Sequence, residues 1–119
     1  MENTYFKLSE FDSKDLKGSG QLMDETFMSM LNEARGVANI PFKIISGYRT
    51  YEHNKKVGGV KDSSHCKGLA ADISCVDSRS RFIIINALIQ VGFNRIGIGK
   101  TFIHCDCDVN KPKMVSWLY

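Results

Sequence analysis

Apolar residues at helical spacing mark two long helices in the sequence. In the first, they recur at positions i, i+3, i+4 and i+7, namely Phe27, Met30, Leu31 and Ala34. Asp24 precedes this segment as a suitable N-cap and Pro41 follows it, which predicts a helix over residues 24–39. Asp77 is the expected N-cap of the second helix, which extends to residue 91 and stops before Gly92.

Shorter segments rich in β-branched or alternating apolar residues surround these helices. They predict five strands, at residues 42–46, 69–75, 95–98, 102–108 and 114–118, with a short helix within residues 48–56. Helices packed on a small, mostly antiparallel sheet make this an α+β fold. The chain has 119 residues, of which 43% are hydrophobic. We therefore expect one domain over residues 1–119 that builds its core without disulfides or a structural metal.

Charge and hydropathy exclude several kinds of partner. The net charge of +3 is small and the basic residues form no long run, so we expect no nucleic-acid partner. No apolar run approaches the ~20 residues that span a bilayer, and we expect no membrane insertion. The first residues lack a basic segment followed by an apolar one, so synthesis in the cytoplasm without a signal peptide is expected. The four cysteines are expected to be free thiols.

The predicted strand at residues 69–75 has two chemically different faces. Leu69, Ala71, Ile73 and Cys75 share the apolar face, whereas Asp72 lies between small residues on the other face. Gly68 permits a turn that would bring His65 beside Asp72. An imidazole and a carboxylate in one cleft suit a divalent metal ion.

The predicted strand at residues 102–108 divides in the same way. One face carries Ile103, Cys105, Cys107 and Val109, and the other carries Phe102, His104, Asp106 and Asp108. Buried carboxylates without a counter-charge are costly, so the second face must meet solvent, a cation or both. If the two strands pair, His65, Asp72 and His104 can converge as three zinc ligands that leave a fourth position for water.

Two other interpretations stay open at this point. The histidines and aspartates could be ordinary surface or hydrogen-bonded groups without a metal. Cys105 and Cys107 could form a rival structural zinc site, but residues two apart on a strand both face the core, and we interpret these thiols as small core residues.

Four motifs in order along the chain resemble a known family. They are Ser46-Gly47-Tyr48-Arg49-Thr50, Val57-Gly58-Gly59, Ser63-x-His65-x-x-Gly68-x-Ala70-x-Asp72 and Ile103-His104-x-Asp106. Together they are similar to the zinc D-alanyl-D-alanine carboxypeptidase-like peptidases, which include peptidoglycan-cleaving phage endolysins and share a fold with the hedgehog signalling domain. The resemblance extends from about Phe6 to the C-terminus.

The resemblance implies a role for each matching residue. His65, Asp72 and His104 would bind one zinc ion. Arg49 would bind a substrate carboxylate or the developing oxyanion, unless it only ties down its own loop. Ser63 would hydrogen-bond the substrate backbone, unless it is an ordinary turn former.

The chain departs from the family pattern at the general base. Many members carry an acidic residue or a histidine shortly before the last zinc histidine, whereas residues 98–102 offer neither. Asp106 is our first candidate for the base, and its alternative roles are a hydrogen-bond partner of a ligand or a surface charge. Asp108 and His53 are weaker candidates.

The resemblance implies a zinc metallopeptidase that hydrolyses an amide bond in peptidoglycan stem peptides. It would be a D-Ala-D-Ala carboxypeptidase or an L-alanyl-D-glutamate-type endopeptidase, in phage or bacterial lysis or in wall remodelling. We expect a monomer that acts at the bacterial cell wall, encoded by a phage or delivered by another protein. The alternative is a non-catalytic zinc module that binds wall peptides or a protein partner, which the missing carboxylate leaves open.

Overall fold

The computed structural model describes residues 5–119, and the α+β fold expected from the sequence is confirmed. The strands are β1 (Ile44–Ser46), β2 (Ala70–Ser74), β3 (Arg95–Ile98), β4 (Phe102–Asp106) and β5 (Val115–Leu118). The α-helices are α1 (Glu25–Ala38), α2 (Tyr51–Lys56) and α3 (Ser78–Gln90). Three short 3-10 helices, which the sequence patterns did not predict, span Leu8–Phe11, Ser19–Leu22 and Ser64–Lys67. Residues 1–4, part of the segment examined for an export signal, lie outside the described residues.

Both long helices begin at the caps that the sequence predicts. The Asp24 carboxylate accepts a hydrogen bond from the N–H of Phe27, and Asp77 accepts one from the N–H of Ser80. Each cap satisfies a backbone donor that has no partner within its helix. The α1 helix ends at Asn39, which adopts the left-handed conformation with φ of 54°. None of the helices described here has both the length and the apolar composition needed to cross a membrane.

The five strands form one sheet in the order β1-β2-β4-β3-β5. All neighbouring strands are antiparallel except β3 and β5, which are parallel. The central pair β2 and β4 places Asp72 directly opposite His104. Two of the predicted site residues therefore meet because of strand register.

One face of the sheet packs against the helices and forms the core. Buried core residues on the central strands are Ala71, Ile73, Ile96, Ile103 and Cys105. They alternate with Asp72, His104 and Asp106, which lie on the opposite face. The four cysteines are free, and Cys107 packs against the core as expected. The core position expected for Val109 is wrong: β4 ends at Asp106, and Val109 is 73% exposed.

Candidate metal centre

His65 reaches the polar face of the sheet from the short 3-10 helix Ser64–Lys67. Ser63 caps this turn, because its Oγ accepts a hydrogen bond of 3.2 Å from the N–H of His65. Gly68 ends the turn with φ of 72°, and a Cβ atom there would lie 2.4 Å from the carbonyl oxygen of Leu22. Only glycine fits this tight, left-handed position without strain.

The structure brings His65, Asp72 and His104 together. One ligand atom from each residue lies within 4.8 Å of the other two, and all three side chains are buried. Asp72 Oδ1 is the central atom, at 3.4 Å from His65 Nε2 and 2.9 Å from His104 Nδ1.

Hydrogen bonds on the far side of each imidazole fix which nitrogen faces the cluster. His65 Nδ1 lies 2.8 Å from the carbonyl oxygen of Gly47. Because a carbonyl oxygen only accepts, Nδ1 carries the proton and Nε2 is left to bind a metal. His104 Nε2 donates to Asp106 Oδ2 over 2.7 Å, which leaves Nδ1 facing Asp72.

These three residues fit a zinc ion. Zinc takes imidazole nitrogen and carboxylate oxygen ligands at about 2.0–2.2 Å, so tetrahedral ligand atoms lie about 3.3–3.6 Å apart. The separation of 3.4 Å between Asp72 Oδ1 and His65 Nε2 falls in this range, whereas the 2.9 Å between Asp72 Oδ1 and His104 Nδ1 is a hydrogen-bond distance and is shorter. Three protein ligands leave a fourth position for water or substrate, as in catalytic zinc sites.

The charges of the cluster favour a bound cation. Burial alone would raise the pKa of Asp72, but hydrogen bonds from His104 and His65 hold it well below the usual range. Burial also opposes protonation of His104, yet its contacts with Asp106 and Asp72 raise its pKa. Asp72 is therefore ionised between two imidazoles, and a cation bound there would replace the proton that His104 now shares with Asp72.

Asp106 is held from three directions. Its Oδ2 accepts from His104, and its Oδ1 accepts from Arg95 Nε at 2.7 Å and from the N–H of Asp108 at 3.1 Å. Although burial raises its pKa, these hydrogen bonds lower it overall, so the carboxylate is ionised. Asp106 is only 1% exposed and contacts His104 on the side away from Asp72.

Arg49 lies beside the cluster. Its Nη2 is 3.5 Å from Asp72 Oδ2, while Ser46 Oγ and Asn54 Oδ1 accept from its other nitrogens at 3.1 Å and 3.2 Å. Asn54 is buried and donates in turn to the carbonyl oxygen of Val60. The guanidinium is therefore held in place and remains partly exposed toward the cleft.

A cleft of about 510 Å³ opens over these residues. Its lining includes all the site residues predicted from the sequence: Arg49, Ser63, His65, Asp72, His104 and Asp106. Three aromatic side chains, Phe102, Trp117 and Tyr119, also line it. The cleft thus joins a set of metal ligands, a cation and an aromatic surface.

Comparison with known families gives a match to Peptidase M15 over residues 4–106, most of the chain. The chain belongs to the Peptidase M15 family. No individual curated protein matches the chain. The M15 family is zinc-dependent, and membership supports the activity of a peptidase. The His-Asp-His cluster of this M15 family member supplies a place where the metal could bind.

The sequence patterns missed three contributors to the candidate site. Arg95 supplies the counter-charge that the carboxylates of β4 require, and strand alternation on the neighbouring β3 could have indicated it. Asn54 orients Arg49 from α2, and no local pattern marks it. Trp117 reaches the cleft from β5, which the sequence predicted as a strand without a place in the sheet.

Two other residues considered as bases lie elsewhere. Asp108 is buried and accepts hydrogen bonds from Ser64 Oγ at 2.8 Å and Lys67 Nζ at 2.9 Å. Through these hydrogen bonds, Asp108 links the segment after β4 to the turn that contains His65. His53 lies on α2 near Asp15 and Glu52, in a separate surface depression.

Proposed function

We propose that this protein is a zinc metallopeptidase that hydrolyses an amide bond in peptidoglycan stem peptides. The observation that carries the proposal is the convergence of His65, Asp72 and His104 in one cleft beside Arg49. A D-Ala-D-Ala carboxypeptidase and an L-alanyl-D-glutamate-type endopeptidase both agree with this arrangement. We propose a phage or bacterial lysis or wall-remodelling role for a single domain acting as a monomer at the cell wall.

His65 Nε2, Asp72 Oδ1 and His104 Nδ1 would hold the zinc ion. When bound, zinc would lower the pKa of a coordinated water to near neutrality and polarise a carbonyl group. The chain itself contributes the orientation of its ligands: the Gly47 carbonyl fixes the His65 ring and the Asp106 carboxylate fixes the His104 ring. Such outer partners raise ligand basicity and set the ring orientation.

We propose that Arg49 binds negative charge on the substrate. A guanidinium keeps its positive charge at any physiological pH and offers paired donors to a carboxylate. Arg49 would therefore bind a terminal carboxylate in a carboxypeptidase, or counter the negative charge that develops on the carbonyl oxygen. Ser63 lies in the cleft lining, and we propose that it hydrogen-bonds the substrate backbone.

The contacts of Asp106 favour a positioning role over the role of general base. Both of its oxygens already accept hydrogen bonds from protein groups, and it contacts the imidazole nitrogen that faces away from the metal ligands. A base must reach the proton that it removes, directly or through one water. The base assignment of Asp106 stays a prediction, and the zinc affinity and turnover of Asp106→Asn distinguish the two roles.

Mass spectrometry of purified murein incubated with the zinc-loaded protein tests the proposal. We expect new fragments whose masses identify the bond that is cut. The matched control is His104→Ala, which removes one metal ligand and should lose both zinc and the fragments. Murein left intact by a protein that holds one zinc ion would contradict the peptidase proposal.

A non-catalytic zinc module is the second candidate. It is favoured by one observation: the two carboxylates in the cleft lining, Asp72 and Asp106, both accept hydrogen bonds from side chains of the site. No acidic group described in the cleft is therefore free to act as a base. Binding of murein fragments by the zinc-loaded protein without any cleavage would support this candidate.

A further inference from the structure

One residue from each strand forms a straight row across the cleft side of the sheet. The strand register places these residues opposite one another: Ser46, Asp72, His104, Gly97 and Trp117. The row contains a hydroxyl group, a carboxylate, an imidazole and an indole. At β3, which lies between β4 and β5, it contains no side chain at all.

Gly97 allows the indole of Trp117 to approach His104. Neighbouring strands lie about 4.8 Å apart, so upright side chains on β4 and β5 would be separated by about 9.5 Å. The ring centroids of His104 and Trp117 are only 5.5 Å apart. A Cβ atom on Gly97 would lie 2.7 Å from Trp117 Nε1 and 2.6 Å from Tyr119 Cε2. The indole therefore occupies the space above β3 that a side chain at position 97 would fill.

Neighbouring side chains hold this aromatic surface in place. The Arg95 guanidinium lies 5.0 Å from the centroid of Trp117, a cation–π contact. Tyr119 follows on the same side of β5, and its ring centroid lies 4.9 Å from that of Phe102. Tyr119 is still 67% exposed, so part of the surface is available to a ligand in the cleft.

The two sides of the metal centre differ in chemistry. Arg49 contacts Asp72 on the β1 side and carries a partly exposed positive charge. On the β5 side, the charge of Arg95 is already neutralised by Asp106. The aromatic side thus offers flat surface without an unpaired charge of its own, and such surface packs well against aliphatic groups and peptide planes.

We propose that Trp117 and Tyr119 form a substrate-binding wall for a small aliphatic residue, such as alanine, next to the scissile bond. This proposal rests on the proposed function and adds to it the chemistry of one subsite. A bound peptide would extend from the Arg49 side, across the metal ligands, to this wall. The family match ends at residue 106, so the wall lies in a part of the chain outside that match.

Calorimetric titration with a synthetic stem peptide tests the wall directly. The peptide contains both the L-alanyl-D-glutamate and the D-alanyl-D-alanine bonds, and the proteins are zinc-loaded. Trp117→Ala removes the indole, and Gly97→Ala places a methyl group against it, because the three atoms nearest to a Cβ at position 97 belong to Trp117 and Tyr119. Leu118→Ala is the matched control, because Leu118 is the adjacent β5 residue, points to the other face and is 80% exposed.

We expect Trp117→Ala to raise the Kd for the peptide about tenfold or more, and Gly97→Ala to raise it several-fold. Leu118→Ala should stay within about twofold of the original protein, and all three variants should keep their zinc. In turnover measurements, the increase in KM should be larger than the decrease in kcat, since the wall binds the substrate without taking part in the chemistry. Trp117 is the only tryptophan, so its fluorescence should change on peptide binding, and change less in Gly97→Ala.

Other outcomes separate the two proposals. Unchanged peptide affinity in both Trp117→Ala and Gly97→Ala, with normal cleavage by the original protein, would overturn the wall and leave the peptidase proposal standing. Loss of zinc from Trp117→Ala would show that Trp117 holds His104 in place, and it would also overturn the proposal of a substrate-binding wall. A zinc-loaded original protein that neither binds nor cleaves the peptide would overturn both proposals.

Discussion

Replacing Arg95 by methionine removes the counter-charge of a buried carboxylate. Arg95 Nε lies 2.7 Å from Asp106 Oδ1, and Asp106 is 1% exposed. Methionine fills much of the same volume but donates no hydrogen bond. Asp106 then keeps only the imidazole of His104 and the N–H of Asp108.

The expected loss follows from the cost of an uncompensated buried charge. Removing one partner of a buried ion pair typically costs about 3–5 kcal/mol. The two hydrogen bonds that Asp106 retains place the value near 3 kcal/mol. For a protein of this length, 1 kcal/mol corresponds to roughly 4 °C in Tm, so Arg95→Met should melt about 12 °C below the original protein.

Thermal unfolding of the metal-free proteins measures this loss. A chelator is present throughout, because a bound metal would stabilise each variant by a different amount. The matched control is Arg79→Met, the same substitution at an exposed position on α3, which should change stability by no more than about 0.5 kcal/mol. A Tm for Arg95→Met within a few degrees of that control would refute the reasoning.

A double variant tests the cause of the loss. Asp106→Asn in the Arg95→Met background removes the unpaired charge, so we expect it to recover at least about 1 kcal/mol of the lost stability. Asp106→Asn in the original protein should instead destabilise, since it leaves the Arg95 charge without its partner. If the two losses simply add, Arg95 and Asp106 do not act as an ion pair.

Three further predictions concern the site and its surroundings. Asp106→Asn should weaken zinc binding about 10- to 100-fold in a chelator competition if Asp106 positions His104; unchanged zinc affinity with a turnover loss of about 10² or more would restore the base assignment. Burial raises the pKa of Asp108, but hydrogen bonds from Lys67 and Ser64 lower it to about 2. Because the folded pKa lies below the unfolded value of about 3.9, Asp108 should contribute on the order of 2 kcal/mol above pH 4 and lose it as the pH falls toward 2. Urea unfolding of the original protein and Asp108→Asn checks this, and a difference that disappears above pH 5 would contradict it. All four cysteines should react as free thiols under denaturing conditions, whereas a mass that indicates two disulfides would show the opposite.

Local patterns were sufficient for the two long helices, for the five strands and for the faces of Asp72, His104 and Asp106. The N-caps Asp24 and Asp77 and the apolar spacing behind them define α1 and α3, because both signals act within a few residues. Strand alternation places Asp72 and His104 opposite the core, since successive side chains point to opposite faces. The convergence of these residues with His65 needed the assumption that β2 and β4 pair, and this pairing is present.

Contacts between distant segments could not be read from the same patterns. Arg95 meets Asp106 only because β3 lies beside β4. Trp117 reaches the cleft only because β5 joins β3 as a parallel strand and position 97 is glycine. Sequence spacing describes a strand and its faces, but the order of strands depends on the packing of the whole core.

The core of this sheet also fixes the chemistry on its other side. A shift of β4 by one residue against β2 would exchange the faces of β4, turning His104 toward the helices and Cys105 toward the cleft. Such a shift would bury the charges of His104 and Asp106 in the core and expose Ile103, which is 0% exposed in the native register. The apolar residues of β4 thus select the register that sets His104 opposite Asp72, and the metal site depends on core packing as much as on its own ligands.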